Sequence, residues 1–223
     1  MDQRFEKLYC SRWNIGFIEQ PVAEIMTGAE TEFDVKWVKH RLTDRFFADP
    51  FILSVEGGVI KVLVEEYFYN TKKGIITLLE VDAATYELRR RKVVLEQPYH
   101  QSFPYIHRDG DRIYVLPEAS ASGCLYRYEY DAESEELVNR QLVVEEPLLD
   151  STFVELDGKW WLLCTKRGEY SNRGLFVFES ERFEGPYTPI NGNSPVIVDW
   201  DNARPAGYVE RIDGKVYRST QVC

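Results

Sequence analysis

The chain is short of several things, and each shortage removes a class of function. No apolar run approaches the roughly 20 residues that a membrane-crossing helix needs, so no transmembrane segment is expected. The opening MDQRFEKLYCSRW carries charge but lacks the apolar stretch of a secretory signal. Cys10, Cys124, Cys164 and Cys223 are scattered with no CxxC pair, and there are only three histidines. That pattern predicts buried, reduced thiols in a cytoplasmic protein rather than a zinc site or a disulfide framework. Positive charge is in deficit: 27 Lys and Arg face 37 Asp and Glu, a net of −10. An acidic surplus argues against nucleic acid or an anionic membrane as the main partner. There is no phosphate-cradling glycine loop, no GxSxG elbow, no HExxH and no calcium-loop spacing. Neither a cofactor nor a metal is therefore expected.

What is plentiful is β-forming sequence, with aromatics at 14% of 223 residues. One pattern recurs four times: a β-rich run, a glycine turn and a second β-rich run. It appears as DPFILSVEGGVIKVLVEE from Asp49, SFPYIHRDGDRIYVLPE from Ser102, STFVELDGKWWLLCTK from Ser151 and RPAGYVERIDGKVYRSTQ from Arg204. Glycine after a short polar residue accepts the positive φ of a tight hairpin turn, so each copy predicts two antiparallel strands. Aligned on Gly58, Gly110, Gly158 and Gly214, the copies lie 52, 48 and 56 residues apart. A third strand is predicted after Gly74, Gly123 and Gly174, and a fourth at Lys92–Pro98 and Gln141–Pro147. In the third repeat FEGPYTPINGNSPVIV takes the place of that fourth strand.

Four antiparallel strands recurring near every 50 residues is the signature of a propeller blade. The expected fold is all-β, a single five-bladed β-propeller domain over 1–223, with blades near 46–98, 99–147 and 148–198. The fourth copy, 199–223, has room for only two strands, so the last part is expected to be incomplete, with the missing strands supplied from elsewhere. Strands at Trp13–Ile18 and Val35–Val38, within 12–38, are candidates to complete the closing blade, as is a fused or partner domain. A weak helix is expected at Met1–Leu8 and a loop at Thr27–Asp34.

In a propeller the first strand of each blade lines the axis and the second runs back beside it. Residues that begin first strands and residues that end second strands therefore gather at one mouth. The beginnings supply Asp49, His100, Ser102, Asp150 and Arg204; the ends supply Glu65, Glu66, Glu118, Lys166 and Gln221. Convergent charges of both signs at a funnel suit a polar small ligand. Asp49, Glu118 and Asp150 are the catalytic candidates, because glycoside hydrolysis needs one ionised and one protonated carboxyl group. Glu66, His100, Ser102, Lys166 and Arg204 are the candidates for holding substrate, with Arg204 able to keep a neighbouring carboxylate ionised. Trp160 and Trp161 alternate faces, so at least one is expected in the core.

Ala48-Asp49-Pro50-Phe51 resembles the motif that opens the first blade of the arabinanase, β-xylosidase and invertase-like glycosidases. The ordered set WNIGFI, ADPF, Glu65-Glu66, HQSFPYI, PEAS, DSTF with WWLL, and RPAG is similar to the N-terminal domain of the glucosamine inositolphosphorylceramide transferase family and its bacterial relatives. The resemblance implies a carbohydrate or glycoconjugate ligand, with Asp49 matching a base or nucleophile. Two positions depart from the glycosidase pattern: Ser102-Phe103-Pro104 stands where an aspartate is usual, and Asp150 where the general acid is a glutamate. Glu118, on the neighbouring strand end, is the candidate replacement. A glycoside hydrolase-like protein is thus one expectation, and a non-catalytic glycan-binding or accessory domain of a glycosyltransferase is the other.

Overall fold

The computed structural model describes residues 12–29 and 31–222. Two short strands come first, β1 (Gly16–Phe17) and β2 (Lys36–Trp37), paired across a five-residue helix α1 (Val22–Met26). The next sheet runs in the order β3 (Arg45–Glu56), β4 (Val59–Phe68), β5 (Lys73–Asp82), β6 (Leu88–Leu95). A second repeats that order with β7 (Ser102–Asp109), β8 (Arg112–Glu118), β9 (Leu125–Asp131) and β10 (Glu136–Val144). In the third, β11 (Leu148–Leu156), β12 (Lys159–Lys166) and β13 (Gly174–Ser180) are followed by two short pieces. These are β14 (Thr188–Pro189) and β15 (Ile197–Val198), which pair in succession with β13. Last comes a two-stranded hairpin, β16 (Pro205–Ile212) and β17 (Lys215–Thr220). Every strand pair is antiparallel, and the sheets are blades of a β-propeller.

All four predicted hairpins form, but their turns differ in one respect that matters later. In the first, third and fourth the central pairs are Gly57-Gly58, Asp157-Gly158 and Asp213-Gly214, with φ positive at both positions. In the second, Asp109 pairs with Arg112, so the central pair is Gly110-Asp111, and φ is positive only at Gly110. Fourth strands begin earlier than expected, at Leu88 and Glu136. The helix α1 was not anticipated, while Met1–Leu8 lies outside the described residues.

Face-to-face packing of the blades makes one core, in which Leu63, Ile76 and Leu78 of the first blade meet Ile106, Val115 and Leu116 of the second and Phe153, Leu162 and Phe178 of the third. On the opposite face of the first blade, Phe47, Val62, Val64, Leu79 and Val81 are covered by Ile15, Phe17 and Val38 from the N-terminal segment. The chain zips that segment down through Lys39, whose N–H donates to Tyr86 O at 2.8 Å and whose carbonyl accepts from Leu88 N at 3.1 Å. Among the described residues β1 and β2 pair with each other, and β17 pairs with β16 alone.

At the axis the inner strands β3, β7, β11 and β16 each contribute one aromatic ring. Tyr105 has its ring centroid 5.8 Å from Phe51, 5.3 Å from Phe153 and 5.2 Å from Tyr208. Two phenol groups pin this plug: Tyr105 Oη donates to Phe153 O at 2.8 Å and Tyr208 Oη to Ile106 O at 3.0 Å. Buried hydroxyl groups with acceptors add specificity to apolar packing without a desolvation penalty. The plug fills the axis and gives the space above it a floor.

Candidate functional site

Above the plug each inner strand breaks register against its neighbour. The shift falls between Ala48 and Phe51, between Ser102 and Tyr105, between Leu149 and Thr152, and between Pro205 and Val209. In the first three blades the bulge holds a non-glycine residue in the left-handed region: Asp49 at φ 51°, Phe103 at 43° and Asp150 at 48°. Aspartate tolerates that conformation better than most residues, whereas for phenylalanine it is strained by about 1–3 kcal/mol. A bulge leaves one residue unpaired and re-aims its side chain. Here it turns Asp49 and Asp150 out of the strand pattern and toward the axis.

The result is a cavity of about 420 Å³ lined by Asp49, Glu65, His100, Ser102, Glu118, Arg204 and Gln221, floored by Phe51 and Phe103, and bordered by Trp13 and Phe46. Asp49 accepts the Phe103 N–H at 3.1 Å. Ser120 Oγ donates to Glu118 at 3.0 Å. The Asp150 N–H reaches the other Glu118 oxygen at 3.4 Å. Asp150 is ion-paired with Arg204 and takes a further bond from Gln221 Nε2 at 2.9 Å. Arg204 also donates to Asn172 at 3.2 Å. His100 accepts the Gly74 N–H on Nδ1 at 2.9 Å, leaving Nε2 toward Glu65 Oε1 at 3.5 Å.

Burying four carboxyl groups close together at and beside the cavity sets their protonation. Burial, then the Asp49, Glu118 and Asp150 charges, push Glu65 up to about 9. Burial and Asp150 push Glu118 up to about 8, against the bond from Ser120 and the Arg204 charge. Asp49 rises to about 6 through burial and Asp150, restrained by the Phe103 N–H. Burial also raises Asp150, but the Arg204 charge and its hydrogen bond oppose the rise. Desolvation holds His100 down, with Arg167 acting the same way. Near neutral pH the cluster therefore holds Glu65 and Glu118 protonated with Asp49 ionised, a division that like charges enforce in any crowded carboxyl site. Among the described residues no cluster of His, Cys, Asp and Glu has the arrangement of a metal site.

Six of the eight residues named as catalytic or substrate-holding candidates meet around this cavity: Asp49, His100, Ser102, Glu118 and Arg204 line it, and Asp150 joins them through Arg204, Gln221 and Glu118. Glu66 and Lys166 do not, and both placements need correction. Glu66 is fully buried on the other face of the first blade, held by Arg45 at 2.8 Å, Arg91 at 2.6 Å and the Thr77 hydroxyl at 2.7 Å. Lys166 pairs with Glu146 and lies over Phe176 and Phe178, 4.7 Å and 5.1 Å from the ring centroids. The cause is the second hairpin's turn. Ser102 pairs with Glu118, and the residues in the same register are Glu65, opposite Ala48, and Thr165, opposite Leu149. Alignment on the glycines is one residue out in that blade, and a one-residue slip exchanges the two faces of a strand.

Two lining residues named only as strand ends, Glu65 and Gln221, thus belong to the site; Trp13 and Phe51 join them from the WNIGFI and ADPF motifs, and Phe46 without any local signal. Of the paired tryptophans, Trp160 packs on Phe183 and His107 in the core, and Trp161 lies on the opposite face. Neither lines the cavity. The two cysteines within the described residues are free thiols, Cys164 buried and Cys124 partly so.

A plugged axis under a carboxylate-lined mouth, ringed by antiparallel blades, is a glycoside hydrolase-like five-bladed β-propeller. The solved structures agree on the fold. An exo-β-1,3-galactanase from Phanerochaete chrysosporium superposes with a TM-score of 0.61 at 10% identity, over 82% of this chain and 46% of that one. The GH43 protein BlXynB from Bacillus licheniformis gives 0.55 at 15% identity, over 82% and 40%. The family model described as glucosamine inositolphosphorylceramide transferase 1, N-terminal, matches residues 20–223, and the chain belongs to that family. The transferase 1 proteins of Oryza sativa subsp. japonica and Arabidopsis thaliana are 29% and 28% identical over 184 and 198 residues. The match covers 80% and 82% of this chain but 24% of each relative, so the chain spans about a quarter of their length.

Proposed function

We propose that the cavity binds the sugar portion of a glycan or glycoconjugate, and that recognition of that glycan is the domain's role. The observation that carries this reading is the convergence of carboxyl groups, Arg204, Ser102 and Gln221 above an aromatic floor, with Trp13 exposed at the border. A sugar ring offers hydroxyl groups to the first set and C–H faces to the second, which is how amphipathic ligands are held in concave sites. Membership in a family whose name joins glucosamine to inositolphosphorylceramide supports a glycoconjugate over a free metabolite. Titration of the 223-residue chain with a panel of mono- and oligosaccharides, followed by NMR, is the test. Shifts at Trp13 and around Asp49, lost in Asp49→Asn, are expected. A panel that perturbs neither residue overturns the reading and leaves a propeller for protein contacts.

Hydrolysis is the second reading, favoured by one observation: Asp49 is ionised under conditions in which Glu118 is protonated. Those are the two states that glycosidic bond cleavage requires of its carboxyl pair. Asp150 is less suited to acid duty, because Arg204 and Gln221 both occupy it. Release of reducing sugar from a bound oligosaccharide, abolished in Asp49→Asn and in Glu118→Gln, is the expected result. Binding with no release in the native chain reduces the role to recognition. In either case the edge of β17 that has no partner strand among the described residues suits further strands from an adjoining or partner domain, which would complete the ring.

A further inference from the structure

We infer that the outer edge of β17 and the groove beside it form a docking site for one antiparallel β-strand of a partner polypeptide, a strand that sets a glutamate between apolar residues. The inference does not depend on what the cavity binds. Each of the first three blades lays a third strand against its second, β5 on β4, β9 on β8 and β13 on β12. In the fourth, β17 has no such neighbour among the described residues. The helix α1 comes near β17, but among the described residues no backbone hydrogen bond joins the two. The edge therefore keeps a backbone able to pair with an added strand.

Beside this edge lies the surface that a third strand would cover. Trp161, Leu163 and Val177 of the third blade, with Val209 and Val216 of the hairpin, line a groove of about 300 Å³. Val216 is 48% exposed, whereas Ile60, which holds the same place after the turn of the first blade, is 7% exposed. The second and third blades show what closes such a groove. Tyr128 and Tyr130 of β9, and Phe176 and Phe178 of β13, are buried in the core between blades.

The internal copies also specify the charge of the occupant. Opposite the third residue of each second strand stands a glutamate of the third strand: Glu80 opposite Lys61, Glu129 opposite Tyr114 and Glu179 opposite Trp161. Two of these glutamates meet a lysine, Glu80 with Lys61 at 3.7 Å and Glu179 with Lys159 at 2.9 Å. In β17 the third residue is Tyr217, and Lys215 holds the place of Lys159. Lys215 is exposed and has no ion pair among the described residues. The occupant is accordingly an extended segment whose glutamate falls opposite Tyr217, within reach of Lys215, and whose flanking apolar side chains enter the groove. Strands β5, β9 and β13 carry that pattern, but each is already paired on both edges. A second copy of the chain does not supply it. Antiparallel pairing of β17 with β17 sets Lys215 and Arg218 of one copy against those of the other, with no carboxylate in the strand to separate them. The strand therefore comes from a different polypeptide.

The test is NMR titration of the 223-residue chain with a synthetic peptide of residues 123–131, GCLYRYEYD, under reducing conditions. Shifts are expected in the β17 amides and the Trp161 indole, with the cavity residues unmoved. Glu129→Lys in the peptide, or Lys215→Glu in the chain, is expected to weaken binding about three- to tenfold, and the two changes together to restore it. Lys215 is exposed, so thermal unfolding of Lys215→Glu is expected to match that of the native chain. Equal affinity of the native chain for both peptides overturns the inference, because attraction to the groove would then be apolar alone. Absence of shifts at β17 overturns it too. Sedimentation that reveals a dimer, with the same β17 amides shifted on association, makes a second copy the occupant and also overturns it.

Discussion

Replacing Glu65 by glutamine keeps the shape of the protonated carboxyl group and deletes its titration. The consequence for stability can be worked from its surroundings. Burial and three neighbouring carboxyl groups raise Glu65 to about 9 in the folded chain, whereas a free glutamate titrates near about 4.3. Between those values the folded state keeps a proton that the unfolded state has released. Stability therefore falls as pH rises through this window, by about 1.4 kcal/mol per pH unit, and levels off above about 9. From about pH 6 to about pH 8 the loss traceable to Glu65 is about 2–3 kcal/mol, a large share of the ~5–15 kcal/mol that holds a domain together. Glu65→Gln has no such proton to lose. Its stability relative to the native chain is expected to be nearly equal at about pH 4 and to grow between about pH 6 and about pH 8 by that amount. Urea unfolding of both proteins at matched pH values measures the difference directly, at constant m-value. A difference that stays flat with pH refutes the reasoning, because Glu65 would then be solvated and not part of a buried carboxyl cluster.

Glu66→Ala, one residue along, should behave oppositely: it leaves the Arg91 guanidinium without its carboxylate and Arg45 with Asp44 alone, and is expected to cost about 3 kcal/mol, read as a lowered Tm near neutral pH. Gly74→Ala brings a methyl group to 2.5 Å from the backbone Gln101 O and 2.6 Å from Glu65 Oε1. A loss of about 1–3 kcal/mol is expected in denaturant unfolding, together with a displaced Glu65 titration by NMR. Trp13→Ala removes a side chain that is 63% exposed, so Tm should hardly move, within about 0.5 kcal/mol, while sugar affinity falls several-fold by calorimetry. Equal affinity for both proteins would remove Trp13 from the site.

Much of the fold was legible because its signals are local. Glycine turns between β-rich runs fix hairpins within some 18 residues, and their recurrence fixes the blade. The left-handed bulges had no such signal: a residue before proline is biased to extended backbone, yet Asp49 and Phe103 hold positive φ, and Asp150 does so with Ser151 after it. The segment between Gln20 and Thr27 was harder, because Val22–Met26 makes only a five-residue helix with no side-chain cap. The aromatic plug had no local signature either. Phe51, Tyr105, Phe153 and Tyr208 are ordinary strand residues until four strands bring them to one axis.

The sequence by itself determined the repeat, the strand order and the acidic character of the mouth, because each depends on residues adjacent in the chain. Only the tertiary structure decided which carboxyl group faces the cavity and in what state. Glu65 and Glu66 are indistinguishable in sequence, yet one lines the site and the other is locked between two arginines on the far face. Side chains alternate along a strand, so aligning the hairpins on their glycines, one residue out in the second blade, is enough to pick the wrong one. Protonation was settled at a longer range still. Asp49, Glu65, Glu118 and Asp150 come from three blades, and it is their shared burial that keeps protons on two of them.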